Sequence, residues 1–336
     1  MSGMGARANP GETRNEMSEQ SGGGQGEASL GAGAHIAVLP EETIGALLAG
    51  RDEHNFEGWF VDGTTGAGGH SEMLLERCPK LQLLCIDQDP DALKLASKRL
   101  ARFGERVRLR RARHSELCRV IRKERVGRLS GALFDLGVCS LHLDRAERGF
   151  SFAEDGPLDM RMDPSRARSA ADIVNGWDEG DLADLIYYEG DETHSRKIAH
   201  AIVDARRRTP FMRTGALAHL VAQTLGGGGG KIHPATRTFQ ALRRAVNEEG
   251  EELMGALQTA EHWLDDGGVL AVISFHSGED RVVKRFLQQG AREGRWALQS
   301  KKPIVAAHTE VRSNRRSRSA KLRAAARVRA QRGEVV

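Results

Sequence analysis

A chain of 336 residues with 50 Lys and Arg against 46 Asp and Glu has a formal charge of only +4, and is long enough to bury one large domain or two smaller ones. It has no apolar run near the roughly 20 residues of a membrane helix and no signal-peptide-like segment in residues 1–34, so a soluble, cytoplasmic protein is expected. Its four cysteines, Cys78, Cys85, Cys118 and Cys139, make no C-x-x-C pair and lack matching histidine spacing, which argues against a disulfide framework and a zinc site.

Residues 1–34 are rich in Gly, Ser and Glu, cannot offset their ordering entropy by burial, and are expected to be disordered. The fold starts near His35, and Glu41 to Ala49 reads as an amphipathic helix. Trp59 to His70 (W-F-V-D-G-T-T-G-A-G-G-H) then reads as a short buried strand, a glycine loop and the start of a helix over Ser71 to Arg77. Gly63, Gly66, Gly68 and Gly69 let a ligand approach the main chain, and the helix start offers unpaired N–H groups, which suits an adenosyl cofactor or a phosphate. A dinucleotide fingerprint beginning at Gly66 needs glycine at position 71, which is Ser71. Asp62 at the strand end would repel a pyrophosphate and could face a methionine amino group, so the pattern favours S-adenosylmethionine.

The second strand, Leu81 to Ile86, ends in Asp87, about 20 residues past the glycines, where a carboxylate holds a ribose diol. Asp89 before Pro90 is expected to cap a helix over Ala92 to Leu100. A third strand is predicted at Val107 to Arg110, with His114 in the following loop on the ligand side of the sheet, either edging an adenine or as a plain surface residue. Ser115 to Arg125 reads as a helix and Leu129 to Leu136 as a fourth strand, which together give a doubly wound α/β sheet.

From Val138 to Gly230 only helical periodicity is evident, over Asp178 to Tyr188, Arg196 to Arg208 and Leu217 to Leu225, so an inserted helical subdomain with a glycine hinge at Gly226 to Gly230 is expected. That glycine run is not a P-loop, because Leu225 and Ile232 stand where Gly and Ser or Thr are needed. A helix over Ala235 to His262, broken near Gly250, leads to a strand at Val269 to Phe275 and a helix at Glu279 to Gln288. The tail is expected to pair Ile304 to Ala307 with Lys321 to Val328. Between Arg312 and Arg332 there are nine Lys or Arg and no acid, a strip suited to phosphate contacts, and Arg206 to Arg208 with Arg213 form a second basic cluster.

Taken as a set, V-D-G-T-T-G-A-G-G-H-S, I-D-Q-D-P, F-D-L-G-V, L-D-R-A-E-R-G-F-S-F, D-G-P-L-D-M-R-M-D, H-P-A-T-R-T-F-Q-A-L-R and I-S-F-H-S-G-E-D-R-V-V-K-R-F closely resemble the bacterial small-subunit ribosomal RNA (cytosine-N4) methyltransferases. The resemblance implies a Rossmann-like class I methyltransferase sheet over 35–140 and 231–336, and a substrate-recognising helical insertion over 141–230. It also implies S-adenosylmethionine as cofactor, and small-subunit ribosomal RNA, or the subunit itself, as partner. Carried across residue by residue, the cofactor contacts fall on Gly68, Gly69, His70, Asp87 and Asp135. Two more fall on His114, usually Phe and here still able to stack, and His142, usually Gln and here still able to hydrogen-bond. Gly278 stands where Leu is usual and Cys139 where Ser is usual.

The cytosine amino group is conjugated with the ring and weakly nucleophilic, so methyl transfer to it needs orientation and an acceptor for the departing proton. Asp135, at the end of the fourth strand, suits either that catalytic role or cofactor binding. Cys139 could attack a pyrimidine ring to give a 5-methyl product, but L-G-V-C-S lacks the proline-cysteine dipeptide of such enzymes. The loop Leu143 to Asp163, with Arg148, Arg161, Phe150 and Phe152, and the segment His233 to Gln240 are expected to shape a nucleotide pocket, with interdomain packing as the alternative for the two phenylalanines. His276 and Ser277 follow the fifth strand on the cofactor side, where a proton or phosphate role suits them. Competing readings are another S-adenosylmethionine-dependent RNA or DNA methyltransferase, although D-L-G-V replaces the D-P-P-Y of DNA amino-methyltransferases, a nicotinamide oxidoreductase, and a non-catalytic RNA-binding protein.

Overall fold

The computed structural model describes residues 37–138, 140–227 and 232–328. Residues 1–34, Cys139, Gly228 to Gly230 and the end of the basic strip past Val328 lie outside them. The first βα units follow the apolar runs closely. Pro40 sits in the opening turn of α1 (Pro40–Leu47), and β1 (Gly58–Asp62) runs through the glycine turn into α2 (Gly69–Arg77). Next come β2 (Leu81–Asp87) and α3 (Pro90–Leu100), whose N-cap is Asp89, accepting the Asp91 N–H at 2.8 Å. They are followed by β3 (Val107–Arg111), α4 (Leu117–Lys123) and β4 (Leu129–Asp135).

A single turn, α5 (Ser140–Leu143), opens a helical stretch of α6 (Ala170–Gly176), α7 (Glu179–Gly190), α8 (Ser195–Arg206) and α9 (Thr214–Thr224). The long helix expected next is two helices, α10 (Thr236–Asn247) and α11 (Glu249–Trp263). The break falls at Glu248, in the left-handed region at φ 54°, and not at Gly250. Three arginines, Arg113, Arg166 and Arg168, gather around the Glu248 carboxylate, and this tertiary clamp sets the bend where local propensity would not. The chain ends in β5 (Leu264–Ser274), α12 (Ser277–Arg292), β6 (Trp296–Leu298), α13 (His308–Ser313) and β7 (Lys321–Arg327).

The seven strands are ordered β3-β2-β1-β4-β5-β7-β6, with the first five parallel and β7 antiparallel to both β5 and β6. Lys321–Arg327 therefore pairs, but its edge partner is Trp296–Leu298. Ile304 makes only one bridge, to Leu322. Alternate strand residues feed opposite faces, as a sheet covered on both sides requires. Phe60, Leu83, Cys85, Leu133 and Ile273 pack with α1, α2 and α3, whereas Val61, Leu84, Ile86, Phe134 and Val272 pack with α4, α11 and α12. A third buried cluster runs from Phe150 through α6 to α9 and on into α10, where Phe239, Leu242 and Val246 join it.

Candidate active site

A cavity of about 520 Å³ opens at the carboxyl ends of β1, β2, β4 and β5, where a doubly wound sheet binds its ligands. Its floor is the turn after β1. Gly63 lies so close to Phe134 that a Cβ there would come within 2.3 Å of the ring, and Gly66 takes φ 53°. That conformation turns the Gly66 N–H onto Asp87 Oδ2 at 2.8 Å, while Asp87 Oδ1 accepts the Asp89 N–H at 2.8 Å. Each carboxylate oxygen keeps a further lone pair for the cavity that Asp87 lines. Burial pushes the Asp87 carboxyl above its usual range despite these two N–H donors.

Across the turn, the Asp135 N–H donates to Thr64 Oγ1 at 2.5 Å, and the Asp135 side chain faces the cavity. Its Oδ1 is buried and has no hydrogen-bond partner among the described residues. Oδ2 lies 3.7 Å from His70 Nδ1. His70 Nε2 sits 2.9 Å from the Val38 carbonyl, which can only accept, so Nε2 carries a proton and Nδ1 is the ring nitrogen that faces Asp135. Burial, then the neighbouring Asp62 and Glu279, hold the Asp135 carboxyl well above the ordinary range.

The other expected residues are distributed as follows. Gly69 lines the cavity, while Gly68 does not. Gly68 is the left-handed N-cap of α2 at φ 83°, packed against Leu100, so it shapes the turn from behind. His114 lines the cavity with Nε2 3.0 Å from the Gly63 carbonyl and its ring edge-on to Phe134, and burial lowers its pKa, favouring the neutral ring. His142 is buried, bonded through Nε2 to Asp89 Oδ2 at 2.7 Å and stacked on Phe150 at 4.6 Å. Asp89 is thus more than a cap, because Arg148 Nη1 also donates to its Oδ2 at 3.0 Å. Asp62 departs from expectation. It does not line the cavity but accepts from Ser71 Oγ at 2.6 Å and from the Thr64 N–H at 3.2 Å, and burial raises its pKa to about 6.

The far end of the cavity is aromatic and charged. Phe152 lines it and packs at 4.7 Å against both His233 and Phe239. The loop arginines are turned inward, Arg148 onto Asp89 and the Arg161 and Met162 carbonyls, and Arg161 onto Asp159. An arginine grip from this loop on a base is therefore not formed, which leaves the aromatic surface of Phe152. His276 caps α12, its Nδ1 accepting the Glu279 N–H at 3.3 Å and its Nε2 3.1 Å from Glu279 Oε1. Burial works against the charged form of Glu279, but His276 and Arg243, with the Phe275 N–H, outweigh it and keep the carboxyl below its usual range. Glu249, His276 and Glu279 come within 4.8 Å of one another, yet Arg243 grips both oxygens of Glu249 at 2.7 and 2.8 Å, so a guanidinium is the cation that neutralises this cluster.

Thr236, Phe239, Gln240, Arg243 and Asn247 line the cavity at spacings of three and four along α10. Arg243 and Asn247 were not anticipated from the sequence, although the period of one helix face would have extended the H-P-A-T-R-T-F-Q motif to them.

The reversed β7 between β5 and β6, the glycine turn after β1 and the acid at the tip of β2 define the class. This is the Rossmann-like fold of class I S-adenosylmethionine-dependent methyltransferases. The chain belongs to the MraW methylase family, whose model matches residues 32–328. It is 47% identical over 312 residues to the ribosomal RNA small subunit methyltransferase H of Methylobacterium sp. strain 4-46, covering 87% of this chain and 90% of that one. To the protein of the same name from Synechococcus elongatus it is 47% identical over 296 residues, covering 88% and 95%. A solved putative rRNA-methylase from Clostridium thermocellum superposes at a TM-score of 0.44 with 12% identity, covering 88% of this chain and 100% of that one, a likeness too weak to add to the strand order.

Proposed function

We propose that this protein methylates the exocyclic N4 of a cytosine in the decoding region of small-subunit ribosomal RNA, in the cytoplasm, with S-adenosylmethionine as donor. The names of its 47% identical relatives support the RNA and subunit, and the resemblance of the quoted motifs supports the cytosine nitrogen. Among the described residues no helix is long and apolar enough to cross a membrane.

The residues fit the cofactor. Asp87 would offer its two carboxylate oxygens to a ribose diol, His114 and the turn Gly63 to Gly66 would hold the adenine, and Gly69 and His70 would stand at the methionine part beside Asp135. When bound, S-adenosylmethionine supplies an electrophilic methyl group. The observation that carries the reading is Asp135, whose side chain lines the cavity and whose Oδ1 is buried with no hydrogen-bond partner among the described residues. An unpartnered buried acceptor is costly in a finished fold and suits a donor that arrives with a ligand. Phe152 would present a ring face to the extruded base, and Asp135, whose ionised form the positive charge of the bound donor would favour, would accept the proton that the amino nitrogen loses on methylation. His70 Nδ1 stands behind Asp135 to share the proton taken up.

The test is nucleoside mass spectrometry of small-subunit RNA from cells with and without the gene. Loss of N4-methylcytidine at one decoding-region position on deletion, restored by the intact chain, is the expected result. An unchanged signal overturns the substrate assignment.

A further inference from the structure

The basic strip is not a loose tail where it meets the cavity. Residues 312–320 show a three-residue repeat in environment. Asn314, Ser317 and Ala320 are buried, with Ser317 Oγ donating to the Asn314 carbonyl at 2.8 Å and Asn314 Nδ2 reaching the Ala37 carbonyl. Arg316 and Ser319 line the cavity. Arg312, Arg315 and Arg318 are exposed, and none of the three has an ion-pair partner among the described residues. The cause is the 3₁₀ turn Arg315–Ser319, in which side chains three residues apart eclipse, so that Arg315 and Arg318 stand on one edge about 6 Å apart along the axis. Arg312 lies in the last turn of α13, just before this turn.

Arg312, Arg315 and Arg318 have no acid among residues 311–320 to offset them, and the buried face of the turn keeps Arg315 and Arg318 on its outer side. Such a ridge matches a ligand that brings a row of negative charges, and its spacing is on the scale of neighbouring phosphates along a nucleic acid strand. Its place beside the lip formed by Arg316 and Ser319 ties that ligand to whatever enters the cavity. We infer that Arg312, Arg315 and Arg318 form the docking ridge for the RNA backbone flanking the target cytosine, holding successive phosphates while the base enters past Arg316. This rests on the RNA-methyltransferase reading above. Arg316 is engaged with Asp144 at 3.5 Å, and so connects the ridge to the segment following α5.

The experiment uses the full chain and unmethylated small ribosomal subunits from cells lacking the gene. Subunit affinity is measured by filter retention at several NaCl concentrations for the wild type and for the triple variant Arg312→Gln, Arg315→Gln, Arg318→Gln. A charge-matched control is Lys98→Gln, Arg122→Gln, Lys123→Gln, in the last turns of α3 and α4, which run away from the carboxyl ends of the strands where the cavity opens. Loss of three phosphate contacts should make the slope of log affinity against log salt shallower by about 2 and weaken binding at least tenfold near 0.1 M salt. The control should keep the wild-type slope, and all three proteins should bind S-adenosylmethionine equally by calorimetry and share one thermal midpoint. A ridge variant with the wild-type slope and affinity overturns the inference, as does an equal loss in the control. Wild-type protein that transfers no methyl group to these subunits would instead overturn the function itself, so the two failures are distinguishable.

Discussion

Asp87 and Asp135 end β2 and β4, the two strands that flank β1 in the parallel part of the sheet, yet their surroundings set them different tasks. Asp87 is held by two main-chain N–H groups, which fix its orientation, so Asp87→Ala should weaken S-adenosylmethionine binding at least tenfold by calorimetry, from loss of charged hydrogen bonds worth about 1.5–3 kcal/mol. Unchanged affinity would refute the ribose role. Asp135 has one oxygen without a partner among the described residues, and burial raises its carboxyl well above an unfolded value near 4. In the window between those two values the folded state holds a proton that the unfolded state has lost, so this group's contribution to stability falls as pH rises through it. Asp135→Asn removes that burden. Thermal unfolding at pH 7 should occur at the wild-type temperature or above, while single-turnover methyl transfer drops about a hundredfold or more. Near-normal transfer in a folded Asp135→Asn protein is incompatible with its role as acceptor.

At the scale of elements, the loop after β4 is tied to the head of α3 by one carboxylate. Asp89 is fully buried, and burial alone would raise its pKa, but His142, the Asp91 N–H and Arg148 outweigh this and hold it at about 2. Its stabilising contribution is therefore complete above about pH 4 and is lost as pH falls from there toward 2. Arg148→Met leaves that charge with fewer partners and should cost about 3 kcal/mol or more in urea unfolding at pH 7. A loss below 1 kcal/mol would mean the clamp is dispensable. Elements were legible in the sequence where a run of apolar residues or a cap set them locally, as with β1 to β4 and the Asp89–Pro90 start of α3. Those set from a distance were not. Trp296–Leu298 is only three residues long and becomes a strand because β7 lies beside it, and the bend at Glu248 is made by arginines far away in the chain. The site divides in the same way. Asp87 and Asp135 could be placed from strand ends, whereas Asp62 was misplaced because its partner, Ser71, faces it only once α2 has formed.

For the whole molecule, β7 is the joint between sheet and substrate side. It fills the space between β5 and β6 with six paired residues on one flank and three on the other, and the turn before it packs onto Ala37. Glu310 in α13 accepts the Leu39 N–H at 2.8 Å, so the same stretch braces the strap whose Val38 carbonyl holds His70. A chain ended after Ser319 should consequently not become an active enzyme lacking RNA affinity. With the β5 edge bare, it should be insoluble or show a broad, non-cooperative melt by circular dichroism. A soluble product with a sharp melt would show that the sheet closes without this strand.

This threading also orders events during synthesis. The ribosome makes the glycine turn, both acids and the aromatic wall well before it makes Lys321–Arg327, and only that last insertion brings Arg312 to Arg318 to rest beside them. A nascent or prematurely terminated product thus carries the groups that would recognise a nucleotide but lacks a seated ridge.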